Sequence, residues 1–296
     1  MDSEEQIGII ELGNLKIKCL IFKIINNKAE LLSSVISDSA GIHNDIIVNL
    51  EKAAKAVRSC IGSSEKKANI SLKKINVVFE QPDFLCTKFS KNKKLDGSKI
   101  QKDDIDFLLK EAKKQLILND KKQSIIHIFN HNYIIDGKEF LDEPIGVYAD
   151  SLTHEIVFIT TPKNNLKNIY QVFFDCDIEV ERIISRTFAS GVELLNNNEL
   201  KFGAAILDLG SEKTSFGLFK NLTPVHSATF PVGINHITKD ISKVCSLDIS
   251  DSENIKNNID FSFQKNLNLF DEYDYLKNVY FNNSNYRKIS KDLIFS

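Results

Sequence analysis

One arrangement of residues occurs twice in this chain, and it restricts the fold more than any other feature of the sequence. Ile7–Leu12 is an almost unbroken apolar run, the pattern of a strand buried on both faces. Gly13-Asn14 turns the chain, Lys16–Ile24 follows with alternating polarity, and Ala29–Ile36 reads as a third strand. A helix follows, with Asp45 as its cap and apolar positions at Ile47, Leu50, Ala54, Val57 and Ile61. The same order returns near residue 203. Ala204–Leu209 is apolar with an acid near its end, Gly210-Ser211 turns the chain, Thr214–Phe219 alternates, and Val225–Val232 makes a third strand. Gly233 then opens a helix with apolar positions at Ile234, Ile237, Ile241, Val244 and Cys245. Repetition of a unit this large implies an internally duplicated α/β fold.

Between the repeats the periodicity is mixed. Ile75–Phe79, Ser124–Ile135, His154–Thr160 and Ile178–Ile184 read as strands, and Asp103–Leu118, Leu166–Phe174 and Thr187–Leu195 as helices. Connecting segments are rich in Lys and Asn rather than Pro and Gly, so no flexible linker marks a boundary. With 296 residues, 42% hydrophobic and 26% charged, the chain can build one large or two ordinary cores.

Each hairpin carries an acid, then a glycine, then a polar residue: Glu11-Leu12-Gly13-Asn14 and Asp208-Leu209-Gly210-Ser211. A glycine lets backbone N–H groups approach a phosphate, and a nearby carboxylate can hold the hydrated Mg²⁺ that accompanies a nucleotide triphosphate. One such turn alone is ordinary; its recurrence at equivalent places is what points to phosphate binding. Neither hairpin is a Walker A loop or a G-x-G-x-x-G fingerprint.

Other chemistries find less support. A net charge of -2 supplies no field for nucleic acid, and the basic run Lys91-Asn92-Lys93-Lys94 has no interleaved aromatics and reads as a solvated loop. His127 and His131 share a strand face but lack an evident third metal ligand. The five cysteines contain no C-x-x-C pair and read as reduced structural thiols. The acidic start, Met1-Asp2-Ser3-Glu4-Glu5, is unlike a signal peptide, and no apolar run is long enough to span a bilayer. A cytoplasmic protein is expected.

Over most of its length the sequence resembles the FtsA family of actin-like proteins. The hairpins sit where the actin, sugar-kinase and heat-shock-protein superfamily carries its two phosphate loops. Glu11-Leu12-Gly13 resembles the family's E-I-G, and Tyr133-Ile134-Ile135-Asp136 with Pro144-Ile145-Gly146 resembles its Y-x-I-D…P-x-G. Phe188-Ala189-Ser190 fits its short connecting helix. The segment from Pro231 to Ile241 is similar to its G-G-x-x-I-T-x-D-I, and Ser252–Lys256 to its A-E-x-I-K. The resemblance implies an actin-like duplicated fold with a small inserted αβ subdomain. Residues 1–79 and 162–200 would form the first actin-like subdomain, 80–161 the insertion, and 201–296 part of the second.

The resemblance also implies roles for particular residues. Gly13, Asn14 and Lys16 would belong to the first phosphate loop, with Glu11 on the metal side. Asp208, Gly210, Ser211, Lys213 and Thr214 would form the second, with Asp208 also facing the metal. Gly233 and Asn235 would open the helix beside the nucleotide, and Glu253 and Lys256 would lie near the nucleoside. ATP and Mg²⁺ are the implied ligands, with at most weak ATPase activity. The implied partners are FtsZ, other division proteins and further copies of the chain in actin-like filaments, at the cytoplasmic face of the inner membrane.

Two departures stand out. Glu212-Lys213 replaces the second glycine and the following residue of the family's D-x-G-x-G-T; the glutamate would repel phosphate unless turned away, while Lys213 would attract it. The family's adenosine loop, FtsZ-binding surface and amphipathic membrane helix would follow residue 296, so the second half is expected to be incomplete. Tyr286–Ile294 reads as the helix leading there. Ala204–Leu209, a central strand in the superfamily, would then keep one edge unpaired. Two alternatives share the superfamily: an actin-like pilus-assembly protein, and a sugar or acetate kinase. The T-x-D-I and E-x-I-K elements favour FtsA over the first, and the FtsA-like insertion argues against the second.

Overall fold

The computed structural model describes residues 5–26, 28–259, 275–276, 281 and 288–295. They fall into two compact units: Met1–Asp208 with Ser215–Phe230, and Leu209–Thr214 with Pro231–Ser296.

In the first unit, β1 (Glu5–Leu12), β2 (Lys16–Ile25) and β3 (Lys28–Asp38) run antiparallel, while β6 (Lys74–Phe79) and β11 (Glu179–Ser185) continue the sheet in parallel to β1. The order is β11-β6-β1-β2-β3. Parallel neighbours require crossovers. Helix α1 (Leu50–Ala68) makes one, from β3 to β6, and α3 (Lys163–Phe174) leads into β11. Both helices bury apolar residues against the sheet, Val57, Cys60 and Ile61 from α1 and Ile169, Val172 and Phe173 from α3.

Asp45 does not cap α1. Between β4 (Ile42–His43) and β5 (Ile46–Ile47), the pair Asn44-Asp45 occupies both central positions of a two-residue hairpin with φ of 48° and 55°. That left-handed pair is the geometry of a type I′ turn, which Asn and Asp tolerate well. The cap is Asn49, whose side chain accepts from Lys52 N at 2.9 Å. Asn49→Ala should lower stability by about 1 kcal/mol, read as a shift in the urea midpoint.

Between β6 and α3 the chain builds a second sheet, of order β7-β10-β8-β9. It comprises β7 (Leu85–Lys99), α2 (Lys102–Asn119), β8 (Gln123–Ile135), β9 (Lys138–Phe140) and β10 (Tyr148–Pro162). Leu108, Tyr133 and Leu152 pack in one core beneath α2, and Ala112, Leu116 and Phe158 in another. The basic run Lys91–Lys94 lies inside β7 rather than in a loop. Pairing with β10 extends it, and two of its lysines are matched by acids, Lys88 with Glu155 at 2.8 Å and Lys93 with Asp104 at 2.6 Å.

After β11 come α4 (Arg186–Leu194), α5 (Asn197–Phe202) and a three-stranded sheet, β12 (Ala204–Leu209), β13 (Thr214–Lys220) and β14 (Thr223–Phe230). Among the described residues β12 has β13 on one side only, and its Leu207 stays exposed. The third strand of the repeat thus ends at Phe230, two residues before the expected Val232.

The second unit holds α6 (Ile234–Cys245), α7 (Ile249–Asn258) and α8 (Lys291–Phe295) around Ile241, Cys245, Ile255 and Ile289. Of the helix expected over Tyr286–Ile294, Tyr286 and Arg287 lie outside the described residues.

Candidate functional site

The two hairpins have the same internal construction. A Cβ on Gly13 would stand 2.8 Å from the Lys16 carbonyl oxygen, and one on Gly210 would stand 2.8 Å from that of Lys213. Neither glycine has a left-handed φ, so closeness of backbone to backbone, not dihedral freedom, demands the missing side chain. This steric identity is the three-dimensional form of the repeat read from the sequence.

In the first hairpin the expected residues hold the loop itself. The Asn14 side chain accepts from Asp45 N at 2.6 Å, which ties the loop to the buried β4–β5 turn. Lys16 pairs with Asp38 opposite it on β3, at 2.6 Å. Glu11 pairs with its cross-strand neighbour Lys18 at 3.0 Å.

The second loop is joined to the start of α6 by its own backbone. Gly210 N donates to Lys213 O, Ile234 N to Gly210 O at 2.9 Å, and Asn235 N to Ser211 O at 2.8 Å. Two of the four N–H groups that a helix start leaves without partners are thereby used. Thr214 Oγ1 donates to Val232 O at 2.7 Å. Glu212 faces α6, where it accepts from Asn235 Nδ2 at 2.9 Å and pairs with Lys239 at 3.3 Å. That hydrogen bond, then the lysine, holds its carboxyl below the usual range. The residue that threatened to repel phosphate is neutralised within its own unit. Lys213 is buried.

Sequence reasoning overlooked two residues. Arg186, the first residue of α4, lies among three carboxylates within the first unit. Its Nη1 is 3.5 Å from Asp208 Oδ2, its Nε 3.6 Å from Glu11 Oε1, and its Nη2 3.9 Å from Asp45 Oδ2. Glu80, fully buried at the end of β6, accepts from Ser185 Oγ and Thr187 N, both at 2.9 Å, and so anchors the start of α4. A lone arginine after a strand and a glutamate before a proline-containing turn carry no local signal for these contacts.

The donor set does not suit a resident divalent ion. Glu11 and Asp208, the residues expected on the metal side, face a guanidinium instead. Among the described residues no three His, Cys, Asp or Glu side chains converge as ligands. The remaining expected residues, Glu253 and Lys256, lie on α7, the first exposed and the second half-buried. His127 and His131 have structural partners: His127 Nε2 accepts from Ser185 N at 3.1 Å, and His131 Nδ1 lies 2.7 Å from Thr223 Oγ1. All five cysteines are free, and burial pushes the Cys19 thiol up to about 11 and that of Cys86 up to about 12, which suppresses thiolate chemistry.

The sheet order, the insertion between β6 and α3 and the repeated glycine hairpins make this an actin-like fold. A solved PilM-PilN type IV pilus biogenesis complex chain superposes with a TM-score of 0.60, 11% identity, over 84% of this chain and 68% of its own. More particularly, the chain resembles cell division protein FtsA. The family model described as cell division protein FtsA matches residues 205–292, and that of the SHS2 domain inserted in FtsA matches residues 85–160. The FtsA of Buchnera aphidicola (subsp. Schizaphis graminum) is 28% identical over 87% of this chain and 66% of its own length. That of Agrobacterium fabrum is 22% identical over 84% and 58%, and that of Streptococcus pneumoniae 26% identical over 84% and 54%. The chain thus spans somewhat over half to two-thirds of the length of these relatives. Among the described residues no helix is long and apolar enough to cross a membrane.

Proposed function

We propose that this chain is the nucleotide-binding part of an FtsA-type division scaffold. The observation that carries the proposal is the pair of FtsA family models matched in chain order, the inserted domain first and the second repeat after it. ATP is the nucleotide in this reading. Gly13, Asn14 and Lys16 are its first phosphate segment, and Asp208, Gly210, Ser211, Lys213 and Thr214 its second. Gly233 and Asn235 shape the latter, and Glu253 and Lys256 serve the nucleoside. Hydrolysis is at most slow in this reading, and Thr214 and Glu212 already have protein partners. The domain boundaries, 1–79 with 162–200, 80–161 and 201–296, follow the FtsA plan in the same reading.

The partners follow from the same family reading: FtsZ, later division proteins and further copies of this chain, at the cytoplasmic face of the inner membrane. In the same reading the inserted domain serves neighbours.

Calorimetry with ATP tests the nucleotide reading. Gly13→Val, which drives a side chain into the Lys16 carbonyl, should weaken ATP roughly tenfold or more, a change of about 1.4 kcal/mol. No heat of binding with the unaltered chain would sink it. The pilus-assembly alternative rests on a likeness of fold; mid-cell rather than polar localisation of a tagged chain separates the two.

A further inference from the structure

We infer that Arg186 is a built-in counter-cation which takes the place of a divalent ion among Glu11, Asp45 and Asp208. Three different nitrogens of one guanidinium face three different carboxylates, at 3.6, 3.9 and 3.5 Å. The carboxylates come from the end of β1, the β4–β5 turn and the end of β12, segments far apart in sequence that would repel one another if brought together uncompensated. The three acids do not converge on one point as the ligands of an ion would; each meets its own nitrogen of the guanidinium. Here an arginine, charged at every physiological pH and less costly to desolvate than an ammonium, performs the neutralisation.

Its position is built rather than incidental. Ser185 and Thr187, the residues on either side, are both held by the buried Glu80, so the backbone carrying Arg186 is anchored. The Arg186 side chain is only 20% exposed and that of Asp45 only 3%. The Asp45 backbone is fixed from both sides, its N–H by Asn14 and its carbonyl by Gln81 Nε2 at 2.9 Å. Lys18 supplies a second positive charge to Glu11. A divalent ion entering among these acids would meet a fixed like charge in a partly dry setting, and Arg186 would have to leave first.

A consequence for ligand binding rests on the nucleotide reading given above: ATP affinity of this chain is the same with Mg²⁺ as with a chelator. The cation claim itself is tested without nucleotide. Mn²⁺ titration followed by electron paramagnetic resonance should find no protein-bound ion in the unaltered chain, and Mg²⁺ should leave its melting temperature unchanged. Arg186→Gln should acquire a Mn²⁺ site at least roughly tenfold tighter than any in the parent and should be stabilised by Mg²⁺. Arg186→Lys, which keeps the charge, should behave as the parent. Folding of Arg186→Gln only in the presence of a divalent ion would support the inference equally. Mn²⁺ bound by the unaltered chain and lost in Asp208→Asn would overturn it, as would an Arg186→Gln protein that is stable and still indifferent to metal. Should Arg186→Gln fold under neither condition, the unaltered chain and Arg186→Lys decide, by binding Mn²⁺ or not. Failure of ATP to bind, with or without Mg²⁺, would remove the nucleotide reading and leave the metal result standing.

Discussion

Gly233→Ala should unfasten the second loop from α6. A Cβ at that position would stand 2.5 Å from Lys213 N, 2.5 Å from Ser211 O and 2.6 Å from the carbonyl carbon of Glu212. All three are backbone atoms, so no side chain can rotate out of the way. Relief requires moving the loop, which breaks the bonds from Ile234 N to Gly210 O and from Asn235 N to Ser211 O. Overpacking of this kind costs about 1–3 kcal/mol, and the lost backbone bonds add to it. Hydrogen exchange should show faster amides at Ile234 and Asn235, with β1 and β2 unaffected, and ATP binding should fall with it if the loop serves phosphate. Gly62→Ala is the control: nothing lies within 4 Å of its Cβ, and in the middle of α1 the change should stabilise by roughly 0.5–1 kcal/mol. Equal exchange in Gly233→Ala and parent would show that the loop and helix start are not coupled as described.

Acid should weaken the fold before the carboxylates begin to titrate. Burial pulls His127 and His154 from 6.5 to about 4. His154 stacks on Tyr133 with ring centres 4.5 Å apart, and its Nε2 lies 3.1 Å from Asn130 Oδ1. His127 accepts a backbone hydrogen bond from Ser185 through Nε2, and a proton on that nitrogen would abolish it. Because the folded values lie below the unfolded one, the unfolded chain binds more protons between pH 6.5 and 4, and stability rises with pH across that window. The contribution is complete above pH 6.5 and is lost as the pH falls towards 4, on the order of 2–3 kcal/mol for each histidine at most. The depressed carboxyls of Asp104, Asp136 and Glu212 also favour the fold at higher pH, but they act below their unfolded values of 3.8 to 4.5. Urea midpoints measured across the histidine window should therefore decline towards acid in the parent and decline less in His154→Phe. Parallel curves for the two proteins would mean that His154 is accessible to protons in the native state.

Much of the fold is legible in the residues because its signals are local. A strand buried on both faces must be apolar throughout, as Ile7–Leu12 is, and a hairpin whose backbone crosses a carbonyl must carry glycine, as Gly13 and Gly210 do. The double occurrence of that pattern announces a duplicated α/β fold, and residue-by-residue likeness adds the FtsA character. Local signals also misled. Asp45 has the chemistry of a helix cap, but two left-handed residues in succession make a turn of Asn44-Asp45 and leave Asn49 to cap α1. Lys91–Lys94 has the composition of a loop, and only pairing with β10 makes it a strand.

The electrostatics of the site were decided by tertiary structure alone. Glu11, Asp45 and Asp208 are separated in sequence by whole elements, and nothing in the neighbourhood of Arg186 says that one guanidinium will face all three. Glu80 reaches Thr187 across 107 positions of sequence, because β6 and β11 lie side by side once the second sheet has been inserted between them in the chain. Propensity and periodicity act over a few residues, whereas Coulomb attraction depends on distance in space, and only the folded sheet order sets that distance.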